Sequence, residues 1–223
     1  MILIGKQLKK VFDRRVVFKD ISFEVKSGEV LSITGPNGSG KSTMSKIICG
    51  ILTPTFGQVS LLPEATVQTD GKQQIARDEI HRYIGFVAPY LELYGEFTAL
   101  ENLRIEMRAR KLSASAEKKA LEILELVGLF NRRNDELKGF SSGMKQRLKY
   151  AAALIHNPQV LILDEPMSNL DDAGRAMVRS LVEKFRKDRI VVIATNDSAE
   201  AALGNVKVEL GNDSVVTSSI KNA

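Results

Sequence analysis

The sequence predicts an α/β fold with a mixed, parallel-rich core sheet, an antiparallel β part at the N-terminus and an inserted α-helical subdomain. Three observations carry this prediction. The first thirty residues alternate like short strands, and apolar strands then alternate with helices. From about residue 90 to 150, helical periodicity takes over and strand signals vanish.

Taken in order, "MILIGKQL", "RRVVF" and "ISFEV" read as strands, broken at Asp13 and at the "KSGE" turn. "EVLSIT" is a stronger strand and runs into "GPNGSGKST". A helix is expected over residues 41–52, stopping before Pro54, with "GQVSLL" and "YIGFV" as further strands. "TALE" is a capping box at Thr98 and Glu101, and "SAEKKALEILELVG" is an amphipathic helix that ends at Gly128. A third helix follows "FSSG" from about Met144. "VLILDEP" and "RIVVIAT" are buried strands around a helix over 172–187, and the tail predicts a hairpin around Gly211, Asn212 and Asp213.

Composition narrows the classes. A chain of 223 residues with 43% hydrophobic and 26% charged residues is ordinary for a globular protein. No apolar run approaches the ~20 residues that span a bilayer, and the N-terminal order of charge and apolar residues is the reverse of a signal peptide, so a cytosolic location is the default expectation. A lone cysteine, Cys49, excludes an internal disulfide framework and reads as a small core residue. The net charge of +5 is dispersed, which favours a solvated surface over a nucleic-acid face. The densest basic cluster, "RIEMRARK" (104–111), is helical in pattern and could be a contact face.

The glycine-rich stretch carries the chemistry. Gly35, Pro36, Asn37, Gly38, Ser39, Gly40, Lys41 and Ser42 fit G-x-x-x-x-G-K-[ST] between a strand and a helix, with Thr43 continuing the helix. Such a loop turns successive N–H groups inward as an anion nest, and the helix N-terminus adds partial positive charge. Lys41 would reach the β- and γ-phosphates of ATP, and the Ser42 hydroxyl would ligate Mg²⁺. The core is therefore of the P-loop NTPase type. Val160 to Leu163 form an apolar strand that ends in two carboxylates. Asp164 would hold Mg²⁺ through water, and Glu165 would polarise an attacking water. Ser141, Ser142 and Gly143 at a helix start form a second candidate anion site.

Phosphate loop, helical insert, "FSSGMKQR", "ILDEP" and "SNLD" in this order resemble the nucleotide-binding subunit of an ABC transporter over essentially the whole chain. The signature of that family, usually LSGGQ, matches Phe140-Ser141-Ser142-Gly143-Met144. The resemblance implies that the signature of one subunit contacts the γ-phosphate held by another, in a head-to-tail homodimer with two ATP molecules. It makes residues 168–171, ending in Asp171, the loop that crosses the dimer interface, and puts Phe12 at the position that stacks on adenine. A core aromatic is the competing reading of Phe12. On this organisation the segments are 1–89 (β-rich and phosphate-loop part), 90–150 (helical signature subdomain) and 151–223 (remainder of the core).

Two positions depart from the family. A glutamine that ligates Mg²⁺ is usual where Pro89 stands; Tyr90 and Glu92 are candidate replacements, and a water alone is the preferred one. Asn196 stands where a histidine usually contacts the γ-phosphate, and an amide can donate a hydrogen bond there but carries no proton. His81 and His156 fill neither gap by motif and read as structural. The resemblance thus implies an ATP hydrolase, slow because of Pro89 and Asn196, with Glu165, Lys41 and Asn196 at the reacting phosphate. It would be peripheral at the inner face of the cell membrane and drive a separate transmembrane permease, of export type by its motif flavour. No nucleic-acid partner is expected. The alternative is a soluble ABC-type ATPase acting on an assembly partner; a small-molecule kinase is disfavoured by the signature.

Overall fold

The computed structural model describes residues 1–63, 74–113, 116–211 and 216–219. The chain opens on two long antiparallel strands, β1 (Ile2–Phe12) and β2 (Arg15–Lys26). Only Asp13 and Arg14 separate them, and both have positive φ, 44° and 69°. That is the two-residue hairpin turn whose twist matches the flanking strands. "RRVVF" and "ISFEV" prove to be one strand rather than two. Asp20, at φ 56°, sits in a bulge where the register shifts between Leu8↔Ile21 and Lys10↔Phe18, so the irregular stretch bends the strand without ending it. β4 (Phe56–Leu62) pairs with the other edge of β1 and completes a three-stranded sheet.

The second sheet has the order β5-β6-β7-β3-β8-β9. Its strands are β3 (Val30–Thr34), β5 (Ile84–Val87), β6 (Val160–Asp164), β7 (Ile190–Ala194), β8 (Val206–Glu209) and β9 (Val216–Ser219). Every pairing is parallel except β8–β9. β8 and β9 are the arms of the expected hairpin; Asn212 and Asp213 lie outside the described residues. Leu161, Leu163, Val191 and Ile193 join one core with the helical segment. Their neighbours Val160, Ile162, Ile190 and Val192 join a second core with Leu3, Leu8, Phe18 and the first helix. Strands buried on both faces have no polar alternation, which is why these read as unbroken apolar runs.

Among the described residues, six α-helices connect the strands. α1 (Lys41–Ile48) is shorter than expected. Gly50 takes φ 79° and the Leu52 amide donates to the Lys46 carbonyl at 3.1 Å, closing the helix end well before Pro54. α2 (Ala99–Ala109) begins with the expected capping box: Thr98 Oγ1 accepts from the Glu101 amide and Glu101 Oε2 from the Thr98 amide. An Arg104–Glu117 ion pair ties it to α3 (Ala116–Leu126). α4 (Ser142–Leu154) starts two residues earlier than the sequence suggested, because Ser141 is its N-cap. α5 (Asp172–Phe185) and the short α6 (Ser198–Ala201) follow, on either side of β7. Cys49 is a core residue, and burial pushes its thiol up, away from thiolate character. Among the described residues, no helix is long and apolar enough to cross a membrane.

Candidate active site

Parallel register sets the site. Ile33 and Asp164 both pair with Ala194 of β7, so β3, β6 and β7 end at one level. Loop 35–40 leaves β3 there, at the carboxyl end of the strands where open α/β sheets bind ligands. Gly35 has φ 140° and runs so close to β8 that a Cβ would lie 2.2 Å from the Leu210 carbonyl oxygen. Gly40 has φ 103°, and its Cβ would lie 2.5 Å from Val17 Cγ1 on the neighbouring hairpin. Only glycine fits either place. No side chain caps α1 and no acid stands in its first turn, so its first N–H groups and dipole stay available to an anion. Lys41 is buried, and its ammonium donates to the carbonyls of Gly35 (2.9 Å) and Pro36 (3.2 Å), held inside the loop.

A cavity of about 940 Å³ opens over this loop, with Glu165 on one side and the β1–β2 hairpin on the other. Phe12 forms part of that wall. It is 44% exposed and carries the Lys10 ammonium 4.5 Å from its ring centroid, so it is not a core aromatic. Beside it, residues 36–43 line the cavity floor.

Asp164 closes the base of the site. It is 1% exposed, and neither carboxylate oxygen has a hydrogen-bond partner of ordinary geometry. Burial pushes its carboxyl up, against the Ser42 and Tyr90 hydroxyls that face it and the charges of Lys41 and Lys46. Two unpartnered carboxylate oxygens beside a serine hydroxyl are a hard, oxygen-only donor set. They fit Mg²⁺, which keeps water and phosphate oxygens in its remaining positions. Next to Asp164, Glu165 sits at φ 48°, a conformation that costs a non-glycine residue of order 1 kcal/mol. Its amide donates to the Ala194 carbonyl (2.8 Å) and its carbonyl accepts from Ser168 Oγ (2.8 Å), which holds the turn. Burial raises the Glu165 carboxyl; Lys41 opposes this, while Glu200 and Asp164 add to it. Asn196 Nδ2 donates to Asn37 Oδ1 at 2.9 Å, linking the turn after β7 to the phosphate loop.

The remaining expected residues stand elsewhere. Ser141 Oγ accepts from the Met144 amide (3.2 Å) as the α4 cap, and Ser142 opens that helix. Gly143 lies against residues 168–171, its Cβ position 3.2 Å from the Asn169 carbonyl oxygen. Asp171 caps α5 through Gly174 N (2.8 Å) and pairs with Arg147 of α4 (2.9 Å). None of Ser141, Ser142, Gly143 or Asp171 lines the cavity of its own chain.

Pro89 contributes its carbonyl to Lys149 Nζ at 2.6 Å. Of the two candidate replacements for the missing amide, Tyr90 faces Asp164, whereas Glu92 lines a separate groove beside Lys149. His156 hydrogen-bonds the Ile84 carbonyl (3.1 Å), and burial followed by Arg110 lowers it to about 4, so it is a neutral structural residue near pH 7.

The sequence reading missed Glu200. It is 6% exposed; one carboxylate oxygen accepts from the Met167 amide (3.2 Å) and the other has no partner. Burial raises its carboxyl, against hydrogen bonds from Thr195 and Met167. Nearby, fully buried Tyr150 donates to the Pro166 carbonyl at 2.8 Å. These groups brace the turn that follows Glu165. "DSAE" was the available signal, since Asp197 caps α6 through the Ala199 and Glu200 amides. That pattern predicts a solvated capping glutamate, yet here the side chain turns inward.

Known proteins supply a second line of information. The family model described as ABC transporter matches residues 18–168. The linearmycin resistance ATP-binding protein of Bacillus subtilis (strain 168) is 34% identical over 202 residues, covering 89% of this chain and 62% of that protein. The lantibiotic transport ATP-binding protein of Streptococcus pyogenes is 32% identical over 191 residues, covering 86% of this chain and 78% of that protein. The chain spans 61%, 62% and 64% of the length of the first curated relatives it matches. Among solved structures, a dimeric ATP-binding cassette in a post-hydrolysis state bound to ADP and Pi superimposes with a TM-score of 0.83 at 28% identity, over 99% of this chain and 100% of that one. Such cassettes carry the P-loop α/β fold described above, and with a family model matched over residues 18–168 the chain belongs to the ABC transporter family.

Proposed function

We propose that this chain binds ATP with Mg²⁺ and hydrolyses it as the nucleotide-binding subunit of an ABC transporter. The observation that carries the reading is the convergence of the phosphate loop, Asp164 and Glu165 at one end of the parallel sheet, under a cavity of about 940 Å³. Residues 35–43 hold the phosphates, with Lys41 as the cation among them. Ser42 and Asp164 hold Mg²⁺, which neutralises phosphate charge when bound. Glu165 accepts a proton from the attacking water, and its raised carboxyl favours that acceptance near neutral pH. Phe12 stacks on the base, and Asn196 donates to the terminal phosphate. With an amide at Asn196 and a proline at position 89, turnover is slow.

Ser141, Ser142, Gly143 and Asp171 act in trans, across a head-to-tail dimer. Their absence from the cavity of their own chain supports this, as does the dimeric cassette that the fold matches. The membrane partner is a separate permease at the inner face of the cell membrane. A groove of about 310 Å³ that includes Ile51, Phe86, Leu91, Glu106 and Arg110 is its docking face. Export is the favoured direction, because relatives include a lantibiotic transport and a Nod factor export ATP-binding protein. The helical segment 90–150 is the unit that carries the signature. ATP hydrolysis at high protein concentration, parent beside Glu165→Gln, tests the assignment. Turnover should fall at least a hundredfold in the variant while ATP binding stays; equal turnover would remove Glu165 from the mechanism.

A further inference from the structure

A second ligand-sized space lies at the amino ends of β6 and β7, the opposite end of the sheet from the phosphate loop. Its volume is about 600 Å³, and it shares no residue with the cavity over that loop or with the groove beside Lys149. The floor is apolar and comes from α3, α4 and α5. Ile123, Leu154, Leu181 and Phe185 are each at most 8% exposed, and Leu126 beside them is 46% exposed. The rim is cationic: Lys119, Lys184, Lys187 and Arg189 stand there against one acid, Asp188. Arg189 is held in place. Its guanidinium lies 4.8 Å from the Phe185 ring centroid, donates to the Pro158 carbonyl at 3.1 Å and meets Asp188 at 3.7 Å. A guanidinium carries five N–H donors in a fixed fork, so donors remain for an oxyanion. Lys184 belongs to the last turn of α5, where the helix dipole accounts for a cation. Lys119, near the start of α3, has no such account, and burial followed by Arg189 lowers its ammonium.

We propose that this space binds an anionic amphiphile, a single apolar chain ending in a carboxylate or a phosphate, with the head group on Arg189 and Lys119 and the chain over Leu126, Leu154 and Phe185. Size and charge select this occupant. A volume of about 600 Å³ is that of a small-ligand site. A protein partner needs ~800 Å² of surface on each side, whereas four of the five floor side chains here are already covered. A bare anion would meet the rim and leave the apolar floor unused. A chain with a cationic head would face four like charges. The site is separate from the phosphate loop, so its occupation does not depend on the nucleotide reading.

The test is calorimetric titration of the full chain with decanoate and with decyl phosphate, both below micelle formation. Acetate, inorganic phosphate and decyltrimethylammonium serve as controls. At least one of the two amphiphiles should bind saturably, and the tighter one names the head group. The head groups without a chain should not bind at this site, and decyltrimethylammonium should bind at least roughly tenfold more weakly, since its charge meets repulsion in place of attraction. Lys119→Glu should weaken the anionic amphiphile roughly tenfold by the same reasoning. Leu126→Ser should weaken it roughly threefold to tenfold by removing apolar contact with the chain. Excess ADP should leave the binding unchanged; displacement by ADP would put the ligand on the phosphate loop and overturn the proposal. Absence of saturable binding, equal binding of decyltrimethylammonium, or unchanged affinity in Lys119→Glu also overturns it. If Lys119→Glu does not fold, the head-group series and Leu126→Ser decide. An acidic amphipathic peptide that binds where neither amphiphile does overturns it in favour of a protein partner.

Discussion

Replacing Glu200 by glutamine should stabilise the protein at neutral pH. The carboxylate is 6% exposed and leaves one oxygen without a partner. Its hydrogen bonds from Thr195 and Met167 favour the charged form, yet burial outweighs them and raises the carboxyl. The charged form is thus net unfavourable in the fold. Glutamine keeps the shape and an oxygen for the Met167 amide, and removes the charge. The amide nitrogen that replaces the unpartnered oxygen is still unpartnered, but it carries no charge; an unpartnered buried neutral group costs about 1–3 kcal/mol and a charged one more, and the weaker hydrogen bond to a neutral acceptor offsets part of the difference. A net gain of about 1 kcal/mol remains, or about 2–4 °C in Tm for a chain of this size. The pH dependence fixes the cause. A carboxyl raised in the fold binds its proton more readily folded than unfolded, so the parent is favoured at acid pH and loses that advantage as pH rises through the folded value. The variant should lead at pH 7–8, and the gap should close as pH falls below the ordinary carboxylate range. Calorimetric melts of both proteins from pH 4 to 8 give the answer. A lower Tm for the variant at pH 7.5, or an offset that does not change with pH, would refute the reasoning.

Two further outcomes are expected. Phe12→Ala should weaken ATP and ADP binding about fivefold to tenfold, within the range for loss of one base–aromatic stack, with little change in Tm because the ring is 44% exposed; a fluorescent-nucleotide titration reads it. Thr98→Ala should cost about 1 kcal/mol by removing half of the α2 capping box, lowering Tm by about 2–4 °C without changing ATP affinity.

The phosphate loop and the carboxylates at 164 and 165 were legible because backbone conformation and sheet position force their residue types. Glycines at 35 and 40 sit where a Cβ would collide, and Asp164 ends a run of four buried apolar residues. Helix caps at Thr98 and Asp171 were legible, or close to it, for a similarly local reason. What stayed hidden depends on distant contacts. Nothing local in "APYLEL" shows that Glu92 lines a groove beside Lys149 while Tyr90 packs against Lys46 and Phe86; that is decided by how the chain leaves β5. Glu200 has the pattern of a surface cap, and the Met167 amide that it meets inside the fold comes from another loop. The end of α1 was misjudged because Pro54 is the louder breaker, while Gly50 stops the helix first.

The hairpin turn at Asp13 and Arg14 has a consequence for how a ligand would load the cavity. Phe12 and Arg15, the pair flanking that turn, lie on the three-stranded sheet, whereas residues 36–43 belong to the six-stranded one. A molecule long enough to touch both works as a cross-brace between two sheets that are otherwise joined by apolar packing. Inorganic triphosphate would grip a single wall and leave the hairpin tip swinging; a whole nucleotide would rivet the tip to the core. The side chains at that rim can change without disturbing the buried strands beneath the phosphate loop.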